Sequence, residues 1–394
     1  MTSATPTFWR AISSPVPDRD TAMPILVVAQ SARALAAAAC RAGAAIIATD
    51  FFGDVDTRAL APWVLLPGTL ERGIDRARLP ELGAAAGKIG GIVYGAGFEH
   101  DPGLLRDLSA IAPLIGNPPE TVAAVKDPWR FATLLERLGL PHPAISRTPR
   151  RDGAWLMKQP GGSGGTHIRP ASAAAAAEDA AGYYQAQATG RPVSALFAAN
   201  GRHARVLGFS AQWTAPDRDA PFRFGGCAGP LALPPKLADA VTDACEALAA
   251  ATGLVGLNSL DMLVDGDAWT ILEINPRPGA TTDIFDGIGG RSLWDLHCRA
   301  VAGELPVLPP LTLRPRAAAV VYADQPRRVP AALRWRRWTA DIPAPLAIFP
   351  AGAPVCTVMA QGRDIEAARS LAGRRAGLIL QHLSSPSPLA LSPP

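Results

Sequence analysis

The sequence predicts a mixed fold, α/β at its start and α+β through its middle, and three observations carry that prediction. Two short apolar runs, "PILVVAQ" and "AAIIATD", bracket an alanine-rich stretch, as a β-α-β unit with strands buried on both faces does. Farther along, two extended runs meet at Asn200-Gly201, a strong turn signal for an antiparallel hairpin. At 394 residues the chain is also too long for a single core, so several domains are expected.

Taken in order, "MTSATPTFWRAISSPVPDRDTA" has no apolar centre and reads as a loose extension over 1–22, not as a secretory signal. A doubly wound domain follows over 23–120. Its helix "SARALAAAACRAG" opens at Ser31 and stops at Gly43, and "GGIVYGAGFE" and "APLIGNP" supply further parallel strands. The segment "TVAAVKDPWRFATLLERLGL" is helical with an interruption at Pro128. It begins an α+β region over 121–305, whose smaller part covers about 121–190. There "AWLMKQPGGSGGTHI" reads strand, glycine-rich loop, strand, and "AAAAAEDAAG" a short helix. The clearest helix is "PPKLADAVTDACEALAAATG", with Leu237, Val241, Ala244 and Leu248 on one face and Gly253 as its stop. Two strands joined by "GD" come next, "SLDMLVD" and "AWTILEIN". A smaller lobe over 306–383 has "AAAVVYAD" and "APVCTVMAQG" as strands, and residues 384–394 read as a disordered tail.

Composition narrows the function. With 48% hydrophobic residues, 18% charged and a net charge of +4, the chain has the profile of a soluble protein without a marked field of one sign, so nucleic acid is not an expected partner. The apolar region from Pro24 to Ala48 is interrupted by Gln30, Ser31, Arg33 and Arg41, which argues against a membrane span. Five scattered cysteines without a CxxC pair point to free thiols in a reducing, cytoplasmic setting. "LRWRRWTAD" interleaves arginines with Trp335 and Trp338, and an amphipathic strand is the expectation there. "YGAGFE" lacks the third glycine of a dinucleotide fingerprint and sits on a late strand.

The chemistry concentrates in two places. Glu273, Asn275 and Arg277 alternate in "ILEINPRP", so they share one strand face, and Asp261 on the preceding strand comes beside them. Two carboxylates and an amide oxygen make a hard-oxygen set suited to magnesium when phosphates complete the shell. Alternate charged residues also make an ordinary solvated strand face. Upstream, Lys158 precedes a loop containing Gly161, Gly162, Ser163, Gly164 and Gly165, whose backbone N–H groups can approach anionic oxygens. Because the lysine comes before the glycines and a strand after them, this is a covering flap and not a Walker loop. His167, just past it, is expected to be a satisfied surface histidine.

These residues in this order resemble the ATP-grasp superfamily, and the resemblance covers most of the chain. It implies a Rossmann-like first domain, a two-subdomain core clasping ATP and a small C-terminal lobe. It also implies magnesium on Asp261, Glu273 and Asn275, and phosphates on Lys158 and the flap. The Glu-x-Asn-x-Arg extension, with "NPRPGATTD" after it, looks like predicted carboligases of the biotin carboxylase-like branch. The implied reaction joins a small-molecule carboxylate to an amine through an acyl phosphate, with Arg277 and Lys158 as catalytic residues. A narrower resemblance is to ATP-grasp proteins of cofactor biosynthesis that join glutamate to tyramine-like amines. A bicarbonate-using carboxylase and a nucleotide-binding protein without ligase activity are the alternatives.

Two departures from the family pattern bear on the site. Where the family has a second phosphate lysine, this chain reads "VKDPWRF", leaving Lys126 or Arg130 as the substitute. Where it has a hinge glutamate, "YYQAQATG" offers Gln185 and Gln187. Arg277 is read either as a grip on the acyl phosphate or an acidic substrate, or as an ion-pair partner of Asp261 or Glu273. Substrate specificity is expected around Glu99, Thr281, Thr282 and Asp283, and a homodimer is the assembly considered alongside small-molecule carboxylate and amine substrates.

Overall fold

The computed structural model describes residues 23–150, 152–171, 182–305, 307 and 313–384. The short helix expected in "AAAAAEDAAG", the N-terminal extension and the C-terminal tail lie outside or almost outside the described residues.

The first unit is a parallel sheet of β1 (Ile25–Val28), β2 (Ile46–Asp50), β3 (Trp63–Leu65) and β4 (Gly91–Tyr94), in the order β3-β2-β1-β4. Its strands are as apolar as the two buried faces demand, and Leu26, Val27, Val28, Ile92 and Val93 are fully shielded from solvent. Helix α1 (Arg33–Arg41) covers one face, and α2 (Val55–Leu60), α3 (Leu79–Ala86) and α4 (Gly103–Ile111) follow along the chain. The strand expected at "APLIGNP" shrinks to one parallel bridge, Ile92 to Leu114. Pro113 and Pro118 flank it and cannot donate ladder hydrogen bonds.

Pro128 does divide the next helical stretch, into α5 (Pro119–Lys126) and α6 (Pro128–Arg137). Asp127 makes the break productive, because its side chain accepts the N–H groups of Trp129 and Arg130 and so caps α6. The small subdomain is an antiparallel sheet of β5 (Ile145–Ser146), β6 (Trp155–Lys158), β7 (Arg169–Pro170) and β8 (Tyr183–Ala186), ordered β5-β8-β6-β7.

The large sheet has eight strands. They are β9 (Arg191–Asn200), β10 (Ala204–Thr214), β11 (Phe224–Leu231), β12 (Val255–Asp265), β13 (Ala268–Asn275), β14 (Arg316–Tyr322), β15 (Thr339–Ala340) and β16 (Pro354–Gln361). Their order is β13-β12-β9-β10-β11-β14-β16-β15. The Asn200-Gly201 turn joins β9 to β10 as expected. Two strands expected in a terminal lobe, β14 and β16, are hydrogen-bonded into this same sheet through β11. Helix α7 (Pro235–Thr252) packs its predicted apolar face on one side and ends at Gly253 with φ +71, the left-handed stop that glycine adopts without strain. Helices α8 (Thr282–Phe285) and α9 (Leu293–Val301) pack against the sheet near β11 and β12, and α10 (Ile365–His382) covers β14 and β16.

The segment "LRWRRWTAD" is not a long amphipathic strand: only Thr339–Ala340 joins the sheet. Trp335 and Trp338 instead pack on the terminal core, and Arg375 lies 5.0 Å from the Trp338 ring centroid. Burying both indoles on one core overrides the alternation a strand would impose.

Candidate active site

Sheet register builds the centre of the site. Asp261 of β12 lies directly opposite Glu273 of β13 and, on its other side, opposite Ser194 of β9. A bulge at Leu272 lets Ile271 and Ile274 both enter the core while Glu273 and Asn275 face away from it. Asp261 accepts from Ser194 Oγ at 2.6 Å and from Asn275 Nδ2 at 2.8 Å, which leaves the Asn275 amide oxygen turned toward Lys126. Ser194 is missed by sequence reasoning, because only the cross-strand register brings it to Asp261.

Two lysines meet this face. Lys126, the last residue of α5, donates to Glu273 Oε2 at 2.8 Å, to the Ile274 carbonyl at 3.2 Å and to Asn275 Oδ1 at 3.3 Å. Arg130 is exposed on α6. Of the two candidates left open by the sequence, the structure therefore brings Lys126 and not Arg130 to the acidic set. Lys158, at the end of β6, is buried and donates to Gln185 Oε1 at 2.9 Å. Gln187 is exposed, and its N–H is spent on the Ala154 carbonyl, so of the two hinge glutamines only Gln185 lines the site.

The charges are tightly coupled. Burial would raise the Glu273 carboxyl, yet Lys126 and Lys158 hold it below the usual carboxylate range. Burial and the Glu273 charge push Asp261 upward. Burial, opposed by Glu273 and reinforced by Lys126, lowers Lys158. Among the described residues no group of three His, Cys, Asp or Glu could hold a metal alone. Two carboxylates with the Asn275 oxygen need further oxygens from outside the protein, which is the habit of magnesium with phosphates. The donor set fits that ion on those terms.

Above this face lies the glycine loop. A Cβ on Gly161 would stand 2.3 Å from the Glu99 carbonyl oxygen, and one on Gly165 2.0 Å from that of Phe222. Both glycines also have positive φ, +68 and +72. Gly162 touches the His167 ring, since a Cβ there would meet ring atoms at 2.2–2.5 Å. His167 is half-buried, its Nδ1 has no hydrogen-bond partner, and burial lowers its pKa to about 4. The expectation of a satisfied surface histidine is thus corrected: the loop folds back and traps the ring beneath it.

Arg277 pairs with neither Asp261 nor Glu273. Its Nε donates to Glu99 Oε1 at 2.7 Å, and Glu99 Oε2 accepts the N–H groups of Gly97 and Phe98. Burial works against this carboxylate, but the Arg277 and Lys126 charges keep it low. Glu99 stands at the C-terminal end of the parallel sheet, the side where such sheets bind ligands. Thr281 and Thr282 are buried, and both oxygens of Asp283 are held by Arg33 of α1, at 2.5 and 2.6 Å.

Residues 125–281 match the ATP-grasp domain family. The carbamoyl phosphate synthase large chain of Rubrobacter xylanophilus (strain DSM 9941 / JCM 11954 / NBRC 16129 / PRD-1) is 26% identical over 249 residues, 54% of this chain and 22% of the relative. The chain therefore matches about a fifth of that curated relative's length. Among solved structures, the biotin carboxylase domain of a single-chain bacterial carboxylase superposes with a TM-score of 0.68 at 19% identity, covering 92% of this chain and 89% of that one. The biotin carboxylase domain dimer of Hydrogenobacter thermophilus 2-oxoglutarate carboxylase, solved with MgADP, ADP and bicarbonate, gives 0.68 at 13% identity, covering 92% and 90%.

Proposed function

Because residues 125–281 form an ATP-grasp domain in a chain with the biotin carboxylase fold, we propose an ATP-dependent ligase that joins a carboxylate to an amine through an acyl phosphate. The observation that carries this reading is the single strand face on which Lys126, Lys158 and Asn275, all buried, converge with the partly exposed Asp261 and Glu273 beside a glycine flap. Lys126 and Lys158 supply fixed positive charge for phosphate oxygens in a site shielded from water. Backbone N–H groups of Gly161, Gly162, Ser163, Gly164 and Gly165 cover the transferred group, and Gln185 orients Lys158. Asp261, Glu273 and Asn275 would hold magnesium, which when bound neutralises charge during phosphoryl transfer. Arg277, whose Nε donates to Glu99, would grip the activated carboxylate.

The finer proposal is an amino acid such as glutamate joined to an amine in cofactor biosynthesis, by a cytoplasmic homodimer. A second reading, a bicarbonate-using carboxylase, is favoured by the fold shared with a domain solved with bicarbonate. ADP release measured against panels of amines, carboxylates and bicarbonate separates them. Dependence on an amine supports the ligase, dependence on bicarbonate supports the carboxylase, and ATP binding without turnover refutes both. Glu273→Gln is expected to abolish magnesium-dependent turnover while leaving the circular dichroism spectrum unchanged. Full activity of that variant would remove Glu273 from the metal set.

A further inference from the structure

The ammonium of Lys126 is fully spent inside the protein. A lysine has three N–H groups to give, and here they find Glu273 Oε2 at 2.8 Å, the Ile274 carbonyl at 3.2 Å and Asn275 Oδ1 at 3.3 Å. Two of these three acceptors belong to the set that would hold magnesium. The Asn275 oxygen is fixed on the lysine side, since the Nδ2 of the same amide donates to Asp261 Oδ2 at 2.8 Å. The Lys126 side chain is only 5% exposed, so water screens its charge poorly.

Lys158 is bonded differently. Among the described residues its ammonium donates only to Gln185 Oε1, at 2.9 Å, which leaves N–H groups to spare for a phosphate. Both lysines act on the Glu273 charge, but Lys126 alone is bonded to its oxygen. A divalent ion on Glu273 and Asn275 needs oxygens that Lys126 occupies, and it would bring charge of the same sign beside the ammonium. Phosphate oxygens remove the conflict, because they accept the N–H groups that Lys126 must give up.

We propose that Lys126 guards the metal site: its ammonium competes with magnesium for Glu273 Oε2 and Asn275 Oδ1, and yields them when a nucleotide's phosphates draw it across. Nucleotide and ion are then linked ligands, each raising the affinity for the other by the same factor. Lys126 thereby keeps the acidic set from filling with metal before the nucleotide is present. This rests on the metal set of the ligase reading, but not on the identity of the carboxylate or the amine.

Manganese, counted as unbound ion by electron paramagnetic resonance, stands in for magnesium in the test. Without nucleotide, Lys126→Met is expected to bind manganese about tenfold or more tighter than the natural protein. Lys126→Gln is a second neutral variant with the same expected outcome. Lys158→Met removes equal charge from the same neighbourhood without freeing an oxygen of the metal set, so its gain should be well below that of Lys126→Met. With the β,γ-imido analogue of ATP, the natural protein should gain affinity for manganese, and Lys126→Met should gain several-fold less. Equal manganese binding by the natural protein and both Lys126 variants, or an equal gain in Lys158→Met, overturns the proposal. In that event, uptake of manganese by the natural protein with the analogue, lost in Glu273→Gln, leaves the metal set standing. No protein-bound manganese in any form, with or without the analogue, refutes the metal set and this proposal together.

Discussion

Lys126 and Asp54 show at the scale of single residues how burial changes an ordinary side chain. Lys126 ends a helix and could have been a solvated helix terminus, but Glu273 and Asn275 draw its ammonium inward. Lys126→Met is expected to weaken ATP binding by about tenfold or more, as loss of a charge-assisted phosphate contact does. Arg130→Met should leave it unchanged, and fluorescence titration with a nucleotide analogue checks both. Asp54 makes a prediction about pH. Burial, then the charges of Asp341, Asp56 and Asp50, raise its pKa from 3.8 to about 8, against a smaller opposing effect of Arg33. The folded protein thus keeps a proton that the unfolded chain has lost, so stability falls as pH rises from about 4 to about 8 and levels off above. Asp54→Asn lacks this loss. Its melting temperature should gain on the natural protein across that window, and parallel curves would show that Asp54 is not shifted.

At the scale of elements, the flap illustrates a sequence signal whose meaning depended on packing. The glycines between β6 and β7 announce a loop that can approach anions, yet Gly161 and Gly165 lie closest to protein backbone, at Glu99 and Phe222, and Gly162 to the His167 ring. Gly165→Ala combines positive φ with a clash against a carbonyl that cannot swing aside. The flap should then seat poorly, with faster protease cleavage near residue 165 and turnover reduced about tenfold or more. Unchanged cleavage and turnover would mean the loop is seated by other contacts. The β12–β13 hairpin was legible because its turn and its alternation agree, whereas the bulge at Leu272 was not. Nothing in "WTILEIN" distinguishes the extra residue from its neighbours; it is the shared core that takes both isoleucines. Likewise "LRWRRWTAD" alternates as a strand would, and two tryptophans packing on one core decide otherwise.

At the scale of the whole molecule, Arg33 is the joint. Its guanidinium ties α1 of the first unit to Asp283 beyond the large sheet's β13 and to Asp341 after β15. Removing it would leave those acids facing one another. Arg33→Met is expected to lower the unfolding free energy by about 3–5 kcal/mol, the usual cost of stripping one partner from a buried ion pair. Urea denaturation measures this, and a loss indistinguishable from zero would mean that the three parts are held by apolar contact alone. The sequence by itself determined most of the described helices and long strands, the order lysine, glycine loop, acid, Glu-x-Asn-x-Arg, and the superfamily they resemble, because period, turn chemistry and spacing are local properties. Only the tertiary structure decided that Lys126 reaches Glu273, that Arg277 turns to Glu99, and that His167 is trapped under the flap. It also gathered Asp56, Asp283 and Asp341, more than two hundred residues apart at the extremes, around one arginine. Such pairings are set by sheet register and domain docking, which bring together side chains that no local pattern connects.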